Sequence, residues 1–124
     1  MIRLSKEQVV IFHSKIIAKT GGEGGLIHEA LLESALLSAV QTYGGRDLYS
    51  TTIAKIARIT HNIIKNHPFV DGNKRTATHV MVILLSLNSI EASFSNKDMA
   101  HIGEAIANGT MNHEDLAAFI LERC

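Results

Sequence analysis

The chain of 124 residues is poor in most of the features that usually place a protein at first reading. It has one cysteine, Cys124, the last residue, so no disulfide can form within it; a reducing cytoplasm is the simple expectation. It has one proline, Pro68, and no tryptophan, and aromatic residues make up 5% of it. Neither charge sign dominates, since 12 Lys and Arg face 12 Asp and Glu. That balance excludes the basic coat of a general nucleic-acid binder. The longest apolar run, Val80 to Leu85, falls far short of the ~18 residues that suggest a membrane span. No apolar stretch follows a basic N-terminus, so no signal peptide is expected.

What is present is a core and a helical rhythm. Apolar residues form 46% of the chain, enough for one domain spanning residues 1–124 and too many for a disordered segment. Ser5 with Gln8 has the spacing of a capping box, followed by a stripe of Val9, Phe12, Ile16 and Ile17 and closed by Gly21-Gly22. The pairs Gly21-Gly22 and Gly24-Gly25 read as a flexible connection. A second helix is expected from about His28 to Thr42, with Leu31, Leu32, Ala35, Leu36 and Val40 inward and Gly44-Gly45 at its end. Residues 43–50 read as a polar loop. A third helix begins near Thr51 and stops at about Asn66, because Pro68 disfavours helix at His67. A fourth starts after Asn73, expected as its N-cap, and is apolar nearly all round from Ala77 to Leu87. Such a helix is expected in the middle of a bundle. Ser95 with Asp98 opens a fifth helix over about Asn96 to Asn108, and Asn112 caps a sixth ending near Glu122. The fold class predicted is therefore all-α: a compact single-domain bundle whose buried central helix is preceded by a charged loop.

That loop, His67-Pro68-Phe69-Val70-Asp71-Gly72-Asn73-Lys74-Arg75, is the densest chemistry in the chain. A helix start presents free N–H groups and the positive end of the dipole, which together attract phosphate. Lys74 and Arg75 add cations at a helix end where the dipole disfavours them unless an anion visits. Asp71 offers the hard oxygen that Mg²⁺ prefers, and His67 can accept a proton near neutral pH. Gly72 supplies backbone freedom, and Phe69 is expected as a core anchor for the loop. These residues point to transfer of part of a nucleotide to a hydroxyl group. The remaining histidines, His13, His28, His61, His101 and His113, show no metal-binding spacing, and no zinc site is expected.

The nine residues from His67 to Arg75 closely resemble the signature of the Fic/Doc superfamily. The common Fic pattern is H-P-F-x-[DE]-G-N-G-R-x-x-R; that of its Doc (death on curing) toxin branch is H-x-F-x-[DN]-[AG]-N-K-R. Lys74 follows the Doc pattern, and Thr78 stands where the Fic pattern has its second arginine. The resemblance implies a Fic fold and roles for single residues: His67 as general base, Asp71 as the Mg²⁺ ligand, and Gly72, Asn73, Lys74 and Arg75 as the ATP phosphate site. Lys65 lies where Doc carries an arginine near the site, which implies a further cofactor-binding residue, and His79 lies where Doc has an asparagine. Residues 43–50 lie where the superfamily places a target-docking flap, with Arg46 and Tyr49 as candidate contacts.

It further implies a toxin that moves the terminal phosphate of ATP to a threonine of elongation factor Tu and so arrests translation. A small antitoxin with a disordered tail would restrain it. No copy of the inhibitory S/T-x-x-x-E-G/N segment of many Fic proteins is found, which favours restraint in trans. Two alternatives stay open: AMP transfer to a protein hydroxyl, and a non-catalytic Fic-fold binding module.

Overall fold

A computed structural model describes residues 1–47 and 51–124. Six helices account for most of it: α1 (Lys6–Thr20), α2 (Glu29–Leu37), α3 (Thr52–Asn66), α4 (Asn73–Leu87), α5 (Asn96–Ala107) and α6 (His113–Arg123). A 3-10 turn (Ser38–Val40) follows α2, and strands β1 (Thr42–Tyr43) and β2 (Arg46–Asp47) form a small antiparallel hairpin. The all-helical expectation holds apart from this hairpin. No helix among the described residues is long and apolar enough to cross a membrane.

Helix starts written locally in the sequence form as read. The Gln8 N–H donates to Ser5 Oγ and the Ser5 N–H to Gln8 Oε1, completing the capping box of α1. Ser95 with Asp98, and Asn112 with Asp115, close equivalent boxes at α5 and α6. Thr51 caps α3 through the Ala54 N–H. Gly21 ends α1 with a positive φ of 81°, which a side chain would resist.

Four expectations need correction. The second helix ends at Leu37 rather than Thr42, and the chain passes through the 3-10 turn into the hairpin. Gly44-Gly45 is the hairpin turn, with φ of 59° and 78°; both values suit a two-residue turn whose twist matches paired strands. Leu31 and Val40, read as inward, are 40% and 41% exposed, whereas Leu32, Ala35, Leu36 and Ala39 are buried. The helix expected to lie centrally, α4, packs on α3, α5 and α1 but keeps one face open at Val82 and Leu87. α3 has the most neighbours: α2, the 3-10 turn, α4, α5 and α6. Its Ile56, Ile59 and Ile63 are fully buried along one broad face. A domain of this size has too few elements to surround two helices.

The last two helices are clamped by charge. Arg123 donates from Nε and Nη2 to the two oxygens of Asp98, each at 3.0 Å, while its guanidinium lies 4.3 Å over the Phe119 ring. The Arg123 fork and the Ser95 N–H hold the Asp98 carboxyl well below its ordinary 3.8. A carboxylate depressed in the folded state contributes stability above its unfolded pKa and loses that contribution as pH falls through its folded one. Wild type is therefore expected to outlast Asp98→Asn in urea at pH 7. The gap should narrow progressively below about pH 4; a gap constant from pH 7 to pH 2 would refute the clamp.

Candidate active site

The charged motif forms the turn between α3 and α4. His67 caps the end of α3 in the left-handed region, with φ 50° and ψ 55°, and its N–H donates to Ile63 O at 3.2 Å. That conformation is uncommon outside glycine and turns the chain sharply after the helix. Pro68 and Phe69 then pass beneath the surface, and Phe69 is fully buried as the expected anchor. The His67 side chain remains exposed.

Asn73 departs from the role read for it. The N-cap of α4 is Gly72, at φ 77°, and Asn73 is the first residue of the helix. Its buried side chain instead bonds Phe69 twice: the Phe69 N–H donates to Oδ1 and Nδ2 donates to Phe69 O, both at 2.9 Å. Asn73 thus closes the loop on itself and leaves the helix start uncapped. The N–H groups of Asn73, Lys74 and Arg75 find no acceptor among the described residues; the first helical amide with one is that of Thr76, which donates to Gly72 O. An uncapped helix start with its amides open is a seat for an anion.

The glycine-rich segment after α1 is no free connection. The Ile27 and His28 N–H groups donate to Pro68 O, and the Val70 N–H donates to Gly25 O. Leu26 and Phe69 form an isolated antiparallel bridge. The Glu23 N–H donates to Asp71 Oδ2 at 3.0 Å. Close approach explains the glycines: a Cβ at Gly22 would lie 3.3 Å from Ile17 Cδ1 and 3.5 Å from Asp71 Oδ2, and one at Gly72 would lie 3.0 Å from Ile17 Cδ1.

These pieces enclose a cleft of about 600 Å³ lined by Thr20, Gly21, Gly22, His67, Asp71, Gly72, Asn73, Lys74, Arg75 and Glu104. Six of the seven expected site residues line it. The seventh, Lys65, sits exposed on the last turn of α3 and is not among its lining residues; its charge acts on His61, one turn earlier. Arg75 is held at the cleft wall by Nη1–H donation to Thr20 Oγ1 at 2.6 Å. The Lys74 ammonium donates to Glu104 on α5 at 2.8 Å, and its stem runs over Gly103, where a Cβ would lie 3.1 Å from Lys74 Cβ. Lys74 therefore stands at the rim rather than over the open amides. Thr78 is buried and turned into the helix, donating to Lys74 O and Arg75 O. The exposed His79 ring meets Arg75 O through Nδ1 at 2.7 Å. Arg46 is exposed on the hairpin and does not line the cleft, and Tyr49 falls outside the described residues.

No group of three or more His, Cys, Asp or Glu that could hold a metal occurs among the described residues. Asp71 is the carboxylate of the motif, exposed and anchored through one oxygen. This suits a Mg²⁺ ion that takes one protein carboxylate and completes its shell with substrate phosphates and water.

One residue of the site was missed in the sequence. His13, on α1, is 2% exposed, lies parallel to the Phe69 ring at 3.8 Å with an interplanar angle of 8°, and has Nε2 2.7 Å from Asp71 O. The only sequence sign was its place beside the apolar stripe of α1, where a polar ring is out of keeping.

Comparison with known proteins agrees with this geometry. Residues 3–85 match the model of the Fic/DOC family. The Toxin Doc of Mycolicibacterium smegmatis is 34% identical over 71 residues, covering 57% of this chain and 55% of that protein. The chain thus spans about half the length of the curated relative it matches. A family match over two thirds of the chain, which takes in the motif from His67 to Arg75 that lines the cleft, places the protein in the Fic/DOC family.

Proposed function

We propose that the protein is a Doc-type toxin, a kinase that transfers the terminal phosphate of ATP to a threonine hydroxyl of elongation factor Tu and so inhibits translation. The observation that carries this reading is a single cleft presenting three open amides, Lys74, Arg75, Asp71 and His67. Phosphoryl transfer asks a protein mainly for positioning and charge neutralisation, and this set supplies both. The amides of Asn73 to Arg75 and the Arg75 guanidinium bind the phosphates. His67, exposed at the cleft edge, takes the proton of the target hydroxyl as its oxygen bonds to the γ-phosphorus and the bond to the ADP oxygen breaks. Asp71 would hold Mg²⁺, which when bound offsets phosphate charge.

Thr78 favours the terminal phosphate over AMP transfer. A threonine buried against its own helix offers no second cationic clamp at the position where the AMP-transferring pattern has arginine. The likeness to a protein named Toxin Doc supports a toxin restrained by a cognate antitoxin.

Incubation with elongation factor Tu, Mg²⁺ and ATP, read by intact mass, tests the proposal. Addition of one phosphate is expected. Addition of AMP would establish the adenylyl-transfer alternative. An unmodified target would remove elongation factor Tu from the proposal, and the absence of any labelled protein in a whole-cell lysate would favour the non-catalytic module.

A further inference from the structure

We infer that His13 is a positioning residue that aims Asp71, acting through the backbone of the motif loop. A buried imidazole on an otherwise apolar helix face is costly to desolvate unless its polar atoms are used. Here Nε2 is used on one atom, the Asp71 carbonyl oxygen, at 2.7 Å. A carbonyl can only accept, so Nε2 carries a proton and donates. The parallel Phe69 ring at 3.8 Å sets the tilt of the imidazole and so the direction of that N–H.

Asp71 is consequently gripped from two elements. His13 of α1 holds its carbonyl, and Glu23 of the glycine-rich segment holds one carboxylate oxygen. The Val70 N–H to Gly25 bond fixes the residue before it. The peptide that His13 holds also leads into Gly72, the left-handed N-cap residue whose conformation orients the open amides of α4. A phenylalanine at position 13 would pack on Phe69 as well; only histidine adds the bond to Asp71. The inference deepens the reading of Asp71 as the metal-holding carboxylate and rests on it.

Two variants separate the bond from the ring. His13→Phe keeps an aromatic against Phe69 and loses the donor; His13→Gln restores a donor without the ring. Two readouts are followed: hydrogen exchange of the Glu23 amide, whose acceptor is Asp71 Oδ2, and binding of Mn²⁺ with ADP by titration calorimetry. His13→Phe is expected to exchange the Glu23 amide about tenfold faster while the Ile63 amide in α3 keeps its protection. Its Mn²⁺ affinity in the presence of ADP should fall by about tenfold or more, the usual cost of losing an outer partner of a metal ligand. His13→Gln should recover most of both. Unchanged Glu23 exchange in His13→Phe would overturn the inference, as would a His13→Gln variant no better than His13→Phe. Unfolding of both variants would make His13 a core residue only, and would also overturn it. Faster Glu23 exchange in His13→Phe, in a protein whose wild type binds no Mn²⁺ with ADP, would uphold the positioning role and refute the metal reading of Asp71.

Discussion

His67→Ala is expected to reduce phosphate transfer by roughly a hundred- to ten-thousand-fold, the usual span for loss of a positioned general base. ADP binding should stay close to wild type. The split comes from where the residue sits. His67 is the exposed end of α3, whereas the proposed phosphate seat is the start of α4, built by Gly72 and the amides after it. Removing the imidazole takes away the proton acceptor and leaves the amides, Arg75 and Asp71 in place. The measurement is single-turnover transfer beside a calorimetric titration with ADP. Full transfer in His67→Ala would reject the base assignment. Equal loss of transfer and of ADP binding would mean that His67 belongs to the nucleotide seat.

Asn73→Ala is expected to destabilise the protein strongly. The buried amide of Asn73 satisfies both backbone groups of Phe69, whose side chain is fully buried. Alanine leaves that N–H and C=O without partners where water cannot easily replace them. Two such groups cost roughly 3 kcal/mol together, which lowers Tm by roughly 10 °C in a chain of this size. Activity should fall as well, even well below the new Tm, because the loop loses the clasp that holds the helix start open. Calorimetric melting and transfer assays check the two halves. A Tm within about 2 °C of wild type would show that Asn73 is not the clasp.

The parts legible in the sequence were those whose cause lies within a few residues. The capping box at Ser5, the helix starts at Ser95 and Asn112, the stop before Pro68 and the glycine end of α1 each depend on residues no more than four positions apart, and all form as read. Gly44-Gly45 was read as a helix end and turns a hairpin instead: two glycines suit either, and the choice depends on whether the flanking residues pair as strands. Asn73 was read as the cap of its helix, and it clasps the preceding turn instead. Both uses suit an asparagine, and only the path of Phe69 decides between them.

The charged motif, with its imidazole, carboxylate, cations and helix start, was determined by the sequence alone, because local backbone preferences place nine consecutive residues at one turn. The tertiary structure decided what surrounds that turn. It brought the glycine-rich segment against Pro68, Val70 and Asp71, drew Lys74 onto Glu104, kept Lys65 away from the cleft, and set His13 beneath Asp71. The side-chain partners among these lie 30 to 58 residues apart in the chain. They meet only because α1 and α5 pack on α4, and no periodicity or spacing records which side chains that packing will bring together.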